Sequence, residues 1–258
     1  MQDTVTPTTA PRQPGIQAIA RAGRVLRALE AAPAGLALGE LAERVELPKS
    51  TVHRLVGALA REELTASAPD GRIVLGGAVG RMAAAGQATL PARLRPILEE
   101  LSRETGDTVD LAVLDGTSVR FVDQLPGPQR LRAVSAVGAE FPLHCTANGK
   151  ALLAALGPAE ARALLPARLR RCTAATITSR AALLEELATV AREGVAYDRE
   201  EHSEGICAVG AAVLDASGRP VAALSVPAPS TRFAGSEARY AQAVRAAAQS
   251  ASAALGAG

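Results

Sequence analysis

The chain has 258 residues, 48% of them hydrophobic, no tryptophan and a formal net charge of +2. Three cysteines, Cys145, Cys172 and Cys207, are an odd number with no CxxC spacing, which argues against a zinc ribbon and a disulfide framework. No run approaches the roughly 18 uncharged apolar residues of a membrane span, and the polar N-terminus lacks a signal peptide's apolar core, so a cytoplasmic location is expected.

This length leaves room for one large or two ordinary domains. The small net charge neither demands nor excludes nucleic acid, because sequence-specific binders concentrate basicity locally. Residues 1–14, rich in Thr, Pro and Gln, are expected to form a disordered tail. Ile19, Ala22, Val25, Leu26 and Leu29 then make an apolar stripe that predicts a helix, with Arg21, Arg24 and Arg27 mostly off it.

Two further helices follow. Leu38, Leu41, Ala42 and Val45 fall at i, i+3, i+4, i+7, and so do Val52, Leu55, Val56 and Leu59. Only Glu46-Leu47-Pro48 separates them, and Pro48 suits a first helical position. At 100° per residue, Ser50, Arg54, Gly57 and Arg61 point away from the core, while Lys49, Thr51 and His53 flank the first turn. Two short helices with a tight turn, the second presenting donors, form a helix-turn-helix. The plainer reading is a helical hairpin with a solvated charged face.

The next stretch favours the first reading. "LTASAPDGRIVLG" reads as two short strands around Pro69-Asp70-Gly71, so three helices and a hairpin make the winged variant. Arg72, beside that turn, is placed to reach a phosphate or the minor groove, and Arg21 joins it in the DNA-facing set. The expected boundaries are a winged helix-turn-helix over 15–80, a linker helix over 81–92 and a second domain over 93–258. Leu29 and Met82 are candidate dimer surfaces.

Farther along, "TVDLAVLDGTSVRFVDQL" predicts a hairpin turning at Asp115-Gly116, and "RLRAVSAVG" a third strand. "GKALLAALG" and "GPAEARALLPARL" are helices, the latter opened by Pro158. "TSRAALLEELATVAREG" is a longer helix with Thr178 as N-cap and Gly194 past its end. A hairpin around Ser217-Gly218 and an Ala-rich helix over 234–255 close the chain. Hairpin-connected strands with grouped helices indicate α+β with a mostly antiparallel sheet.

Three stretches carry a family resemblance: "LPKSTVHRLVGAL", "FPLHCTANGKALLA" and "EGVAYDREEHSEGICAVGAAVLDASGRPVAALSVPAP". From about Gln17 to Leu255 the chain resembles the IclR family of bacterial transcriptional regulators. The resemblance implies a winged helix-turn-helix followed by a GAF-like α/β effector-binding domain. It further implies a homodimer or dimer of dimers on a palindromic double-stranded operator. A small metabolite, a carboxylate or aromatic catabolite, is expected to alter operator affinity or recruitment of RNA polymerase. Carried over by motif, Lys49, Ser50, Thr51, His53 and Arg54 form the DNA-recognition turn. Ala147, Asn148, Asp198, Ala208 and Ser225 line the effector pocket. The chain departs from the family pattern at Glu46, where the turn usually has Gly. It also has Ala208 for a frequent Cys and Pro227 for a frequent Ser, which makes the pocket less polar.

Two sharper readings remain. His144-Cys145 with Asn148 invites a cysteine nucleophile, and the alternative function is a small-molecule enzyme using Cys145, its winged module an interaction surface. Neighbours on a strand point to opposite faces, so His144 is poorly placed to serve Cys145, and no catalytic residue is expected. Residues 198–202, "DREEH", suggest a solvated loop whose first carboxylate caps or lines the pocket rather than a metal cluster. No metal or cofactor is expected.

Overall fold

The computed structural model describes residues 14–133 and 135–256. The Thr/Pro-rich tail lies outside them apart from Pro14, which opens the first helix. The chain divides between Thr89 and Leu90 into two compact units.

The first unit contains α1 (Pro14–Glu30), α2 (Leu38–Arg44), α3 (Lys49–Arg61) and the antiparallel pair β1 (Thr65–Ser67) and β2 (Ile73–Leu75). The apolar stripes meet in one core of Val25, Leu29, Leu41, Val45, Val52, Leu59 and Ile73. Leu29 is 1% exposed, so the core claims it and it offers no dimer surface, whereas Met82 is 63% exposed. Glu46 takes φ +53° in the turn between α2 and α3, at a cost of about 1 kcal/mol for a residue with a Cβ. Pro48 stands one position before its expected place, as the N-cap of α3 with ψ 137°. The long helix α4 (Gly77–Thr105) replaces the separate linker and domain helices expected there, and it contains Pro91 and Pro96.

In the second unit, six strands form one sheet in the order β5-β4-β3-β8-β7-β6, every neighbour antiparallel. They are β3 (Val109–Asp115), β4 (Ser118–Leu125), β5 (Glu140–Pro142), β6 (Ala196–Arg199), β7 (Ile206–Leu214) and β8 (Pro220–Pro229). The helices are α5 (Ala147–Leu156), α6 (Pro158–Leu164), α7 (Arg180–Glu193), α8 (Ser230–Phe233) and α9 (Glu237–Gly256).

Strand alternation sorts the side chains into two layers. Val109, Leu111, Val209, Ala211, Leu224 and Val226 face α9 and Leu94, Leu98 and Leu101 of α4. Ala112, Phe121, Ala196 and Ala223 face α5, α6 and α7. The result is an α+β unit with helices on both sheet faces, as expected from the hairpin pattern.

Several local expectations shift. The third strand is Glu140–Pro142, not residues 130–138. The backbone of Phe121 on β4 bonds with Gly138 and Ala139, so the sheet edge is taken by the chain that follows Gly138 at φ +89°. Leu143–Cys145 form a 3₁₀ turn rather than a strand. The cap of α7 is Ser179, whose hydroxyl accepts from Ala182 N, not Thr178, while Gly194 ends the helix in the left-handed region at φ +74°. Among the described residues no helix is long and apolar enough to cross a membrane.

Candidate functional site

The leading turn of α3 forms the first candidate surface. Val52 and Leu59 are buried, while Lys49, Ser50, His53 and Arg54 are exposed and Thr51 is half-buried. Lys49, His53 and Arg54 make no ion pair with any described residue, so their donors are presented outward. Arg72 is arranged differently. Its Nε donates to Gly35 O at 3.0 Å and its Nη2 pairs with Glu40 Oε2 at 2.7 Å, which directs the guanidinium back onto the start of α2. It therefore braces the wing instead of standing free for a phosphate. Arg21 is half-buried on α1 and lies outside the α3 turn.

The second candidate is a cavity of about 60 Å³ on the α5 side of the sheet. Its sheet floor follows from pairing. Asp110 on β3 is registered with Ser225 on β8, Ser225 with Gly210 on β7, and Asp198 on β6 with Ala208 and thence Pro227. Gly210 leaves room for the helix start above it, because a Cβ there would lie 3.2 Å from Ala147 Cβ. Gly149 is still tighter, since a Cβ would come within 2.3 Å of Leu143 O. These two glycines let the N-terminus of α5 settle against the sheet, with Thr146 as its cap accepting from Gly149 N.

All five sequence-derived positions, Ala147, Asn148, Asp198, Ala208 and Ser225, line this one cavity. Asn148 is 2% exposed and neither atom of its amide has a hydrogen-bond partner. An unpaired buried polar group costs about 1–3 kcal/mol. Asp198 Oδ1 accepts from Glu201 N at 2.7 Å and His202 N at 3.3 Å; burial nevertheless pushes the carboxyl up to about 7. The carboxylate thus both caps its loop and faces the cavity.

Reasoning along the chain missed Asp110, Ser135, Phe121, Phe141, Thr146, Ile206 and His202, which complete the lining with Pro227. Asp110 accepts from Gln124 Nε2 and Ser135 Oγ, each at 2.7 Å, and burial pushes it up to about 6. A charged residue inside the apolar run "TVDLAVL" was the available signal. His202 stacks on Phe141 at 4.2 Å, and burial lowers its pKa. A larger cleft of about 250 Å³ along α5, α6 and α7 is lined by Leu153, Ala161, Leu184 and Leu187 and lacks the converging polar groups of a specific small-molecule site.

Comparison with known proteins decides the lineage. Residues 18–67 match the IclR helix-turn-helix domain, and residues 82–253 match the bacterial transcriptional regulator IclR C-terminal domain. The chain belongs to the IclR family. Among IclR-family relatives, the HTH-type transcriptional regulator Rv1719 of Mycobacterium tuberculosis is 53% identical over 234 residues, 90% of each chain. The IclR crystal structure from Thermotoga maritima superposes with a TM-score of 0.63 at 26% identity, covering 93% of this chain and 99% of that one. An IclR homolog of Microbacterium hydrocarbonoxydans complexed with 4-hydroxybenzoate shares the fold, with a TM-score of 0.60 at 24% identity over 92% of this chain and 98% of that one.

This chain is an IclR-type DNA-binding transcriptional regulator, and its family relatives are regulators rather than enzymes. The geometry at Cys145 agrees with that reading. His144 Nε2 is bonded to Arg170 O at 2.9 Å, while Cys145 Sγ lies 3.8 Å from Cys172 Sγ. Burial and the neighbouring thiol push Cys145 well above the usual thiol range, the reverse of nucleophile activation. Cys207 packs in the core layer that faces α9, whereas Ala208 lines the cavity on the other sheet face, as strand alternation requires. Residues 198–202 are not the solvated loop expected: Asp198 lines the cavity, its Oδ1 accepts from Glu201 N, and both residues are only 6% exposed.

Proposed function

We propose that two copies of the chain insert the leading turns of α3 into successive major grooves of a palindromic operator. We also propose that a small molecule in the Asn148 cavity changes that affinity. The observation that carries the effector half is the buried, partnerless Asn148 amide facing a cavity where Asp198 and Ser225 also converge. A relative complexed with 4-hydroxybenzoate supports small-molecule control in this lineage. The DNA half rests on the unpaired Lys49, His53 and Arg54. One winged module makes a small footprint, so two half-sites about one helical turn apart supply the specificity. Altered recruitment or exclusion of RNA polymerase is the proposed output. For the ligand to act, it must bind one arrangement of the dimer better than the other.

Two base-level roles are distinguishable. Arg54→Ala is expected to weaken operator binding about 5- to 150-fold, the worth of one bidentate guanine contact, with little change on scrambled DNA. Lys49→Ala is expected to weaken both and to reduce the salt slope by about one. Gel-shift titrations at several salt concentrations, on a fragment selected from genomic DNA, measure this. Equal losses on operator and scrambled DNA for Arg54→Ala reject base readout.

Asn148 offers a test of the cavity. Asn148→Leu removes a buried unpaired amide while keeping its approximate volume, so stability should rise by about 1 kcal/mol or more. The same variant should lose its response to effector while still binding operator. Urea unfolding together with gel shifts reads both, and a stability loss with an intact response rejects the site.

A further inference from the structure

A ligand in the cavity meets walls of one-sided charge. Asp110 and Asp198 enter it from β3 and β6, with His202 beside them, and neither lysine nor arginine lines it. Lys150 acts to lower the pKa of Asp198, but its ammonium is already held at 2.6 Å by both Glu186 and Glu201. Sites that hold carboxylates normally supply an arginine fork or a lysine. The positive feature here is the first turn of α5, equivalent to about half a charge. Two carboxyl groups in the same small space outweigh it once ionised.

The hydrogen bonds sharpen the contrast. Each oxygen of Asp110 already accepts one bond, from Gln124 or Ser135, and each retains a second acceptor site. Because the Ser135 hydroxyl gives its hydrogen to Asp110, it meets a ligand as an acceptor. Asp198 Oδ1 takes two backbone N–H groups, and Oδ2 accepts none from the described residues. Asn148 can both give and take. The Ser225 hydroxyl, like Asn148, can give and take, so with both aspartates ionised the polar side holds more acceptors than donors, while Phe121, Phe141 and the His202 ring supply a flat, less polar side. A volume of about 60 Å³ is several times the roughly 10–15 Å³ that one water needs, which suits a ligand of few heavy atoms.

Resting on the effector-cavity reading above, the geometry points to an effector that presents hydrogen-bond donors, a hydroxyl or an ammonium, to Asp110 and Asp198 rather than a carboxylate, with Asp110 as the residue that sets this preference. The lining accounts for both halves of the choice: acceptors are in excess, and no full positive charge is present to match an anion.

Three probes with one carbon skeleton test it: propane-1,2-diol, 1-aminopropan-2-ol and lactate. Calorimetric titration of the full-length protein at pH 8.5, where both aspartates are ionised, should show the diol or the amino alcohol binding at least about tenfold more tightly than lactate, a 1.4 kcal/mol preference. The stronger of the two donors identifies an uncharged or a cationic effector. Asp110→Asn should reduce the preference by about tenfold. Lactate binding as well as or better than both donors overturns the proposal, as does an unchanged preference in Asp110→Asn. The wild-type ranking is decisive even if that variant folds poorly. Asn148→Leu separates this proposal from the reading beneath it. If lactate wins and Asn148→Leu abolishes its binding, the cavity stands and the donor rule fails. Binding that survives Asn148→Leu places the ligand elsewhere and overturns both.

Discussion

Lys150→Met is expected to lower the unfolding free energy by about 3–5 kcal/mol, the range for breaking a buried ion pair by removing one partner. Lys150 is 0% exposed, and its Nζ lies 2.6 Å from Glu186 Oε1 and from Glu201 Oε1. The Glu186 side chain is 30% exposed and keeps part of its hydration, so most of the penalty falls on Glu201, at 8%. Glu201 is already poorly placed to stand alone, since its Oε2 is buried without a partner and burial raises its pKa. The effect should reach the cavity. Glu201 also donates its backbone N–H to Asp198, and its carbonyl accepts from Thr176 Oγ1 at 2.6 Å. Losing the lysine therefore loosens the loop that orients Asp198. Urea unfolding of Lys150→Met and of Lys150→Met/Glu201→Gln separates charge from packing: the double variant should regain a substantial part of the loss. A single-variant loss under about 1 kcal/mol would mean that this ion cluster does not hold the loop.

The second large effect is a dependence of stability on pH. Asp110 and Asp198, both buried, are pushed up to about 6 and about 7 from 3.8, chiefly by burial. The folded protein therefore holds protons that the unfolded chain releases near pH 4. The contribution of these groups is fully present below pH 3.8 and is lost as pH rises through about 6 and then about 7. Each unit of displacement corresponds to about 1.4 kcal/mol, so the pair bounds an effect of several kcal/mol between pH 4 and 8. His202 runs the other way, because its lowered pKa costs stability as pH falls. Comparing variants removes that background. Asp198→Asn should gain on the wild type by on the order of a few kcal/mol as pH rises from 5 to 8, read by urea unfolding at each pH. A difference that stays flat across this window would show that Asp198 is solvated in the folded protein.

Periodicity and punctuation made the local elements legible. Repeats of 3.6 residues located α1, α2 and α3, and Asp-Gly and Ser-Gly marked the β3–β4 and β7–β8 turns. Pro158 and Gly194 marked a helix start and a helix end. The motif at 147–148 and the "YDREE" segment, read through the family resemblance, yielded five residues that the fold gathers around one cavity. Long-range choices were not legible in this way. Asp110 and Ser225 are 115 positions apart and become neighbours only because β3 and β8 pair in the sheet centre. Arg72 looked like a free wing arginine until Gly35 and Glu40, more than 30 residues upstream, were seen to hold its guanidinium.

From the chain alone came the element types, the donor-bearing turn of α3 and the class of regulator, because these depend on spacings of a few residues and on short motifs. Tertiary structure alone decided that Lys150 lies between two glutamates, that Leu29 belongs to the core, and that two aspartates share a space lined by neither lysine nor arginine. The physical reason is that burial and partnership, which set the ionisation of an acid and the free donors of a base, arise from groups distant in sequence. No local pattern encodes which side chain will arrive opposite.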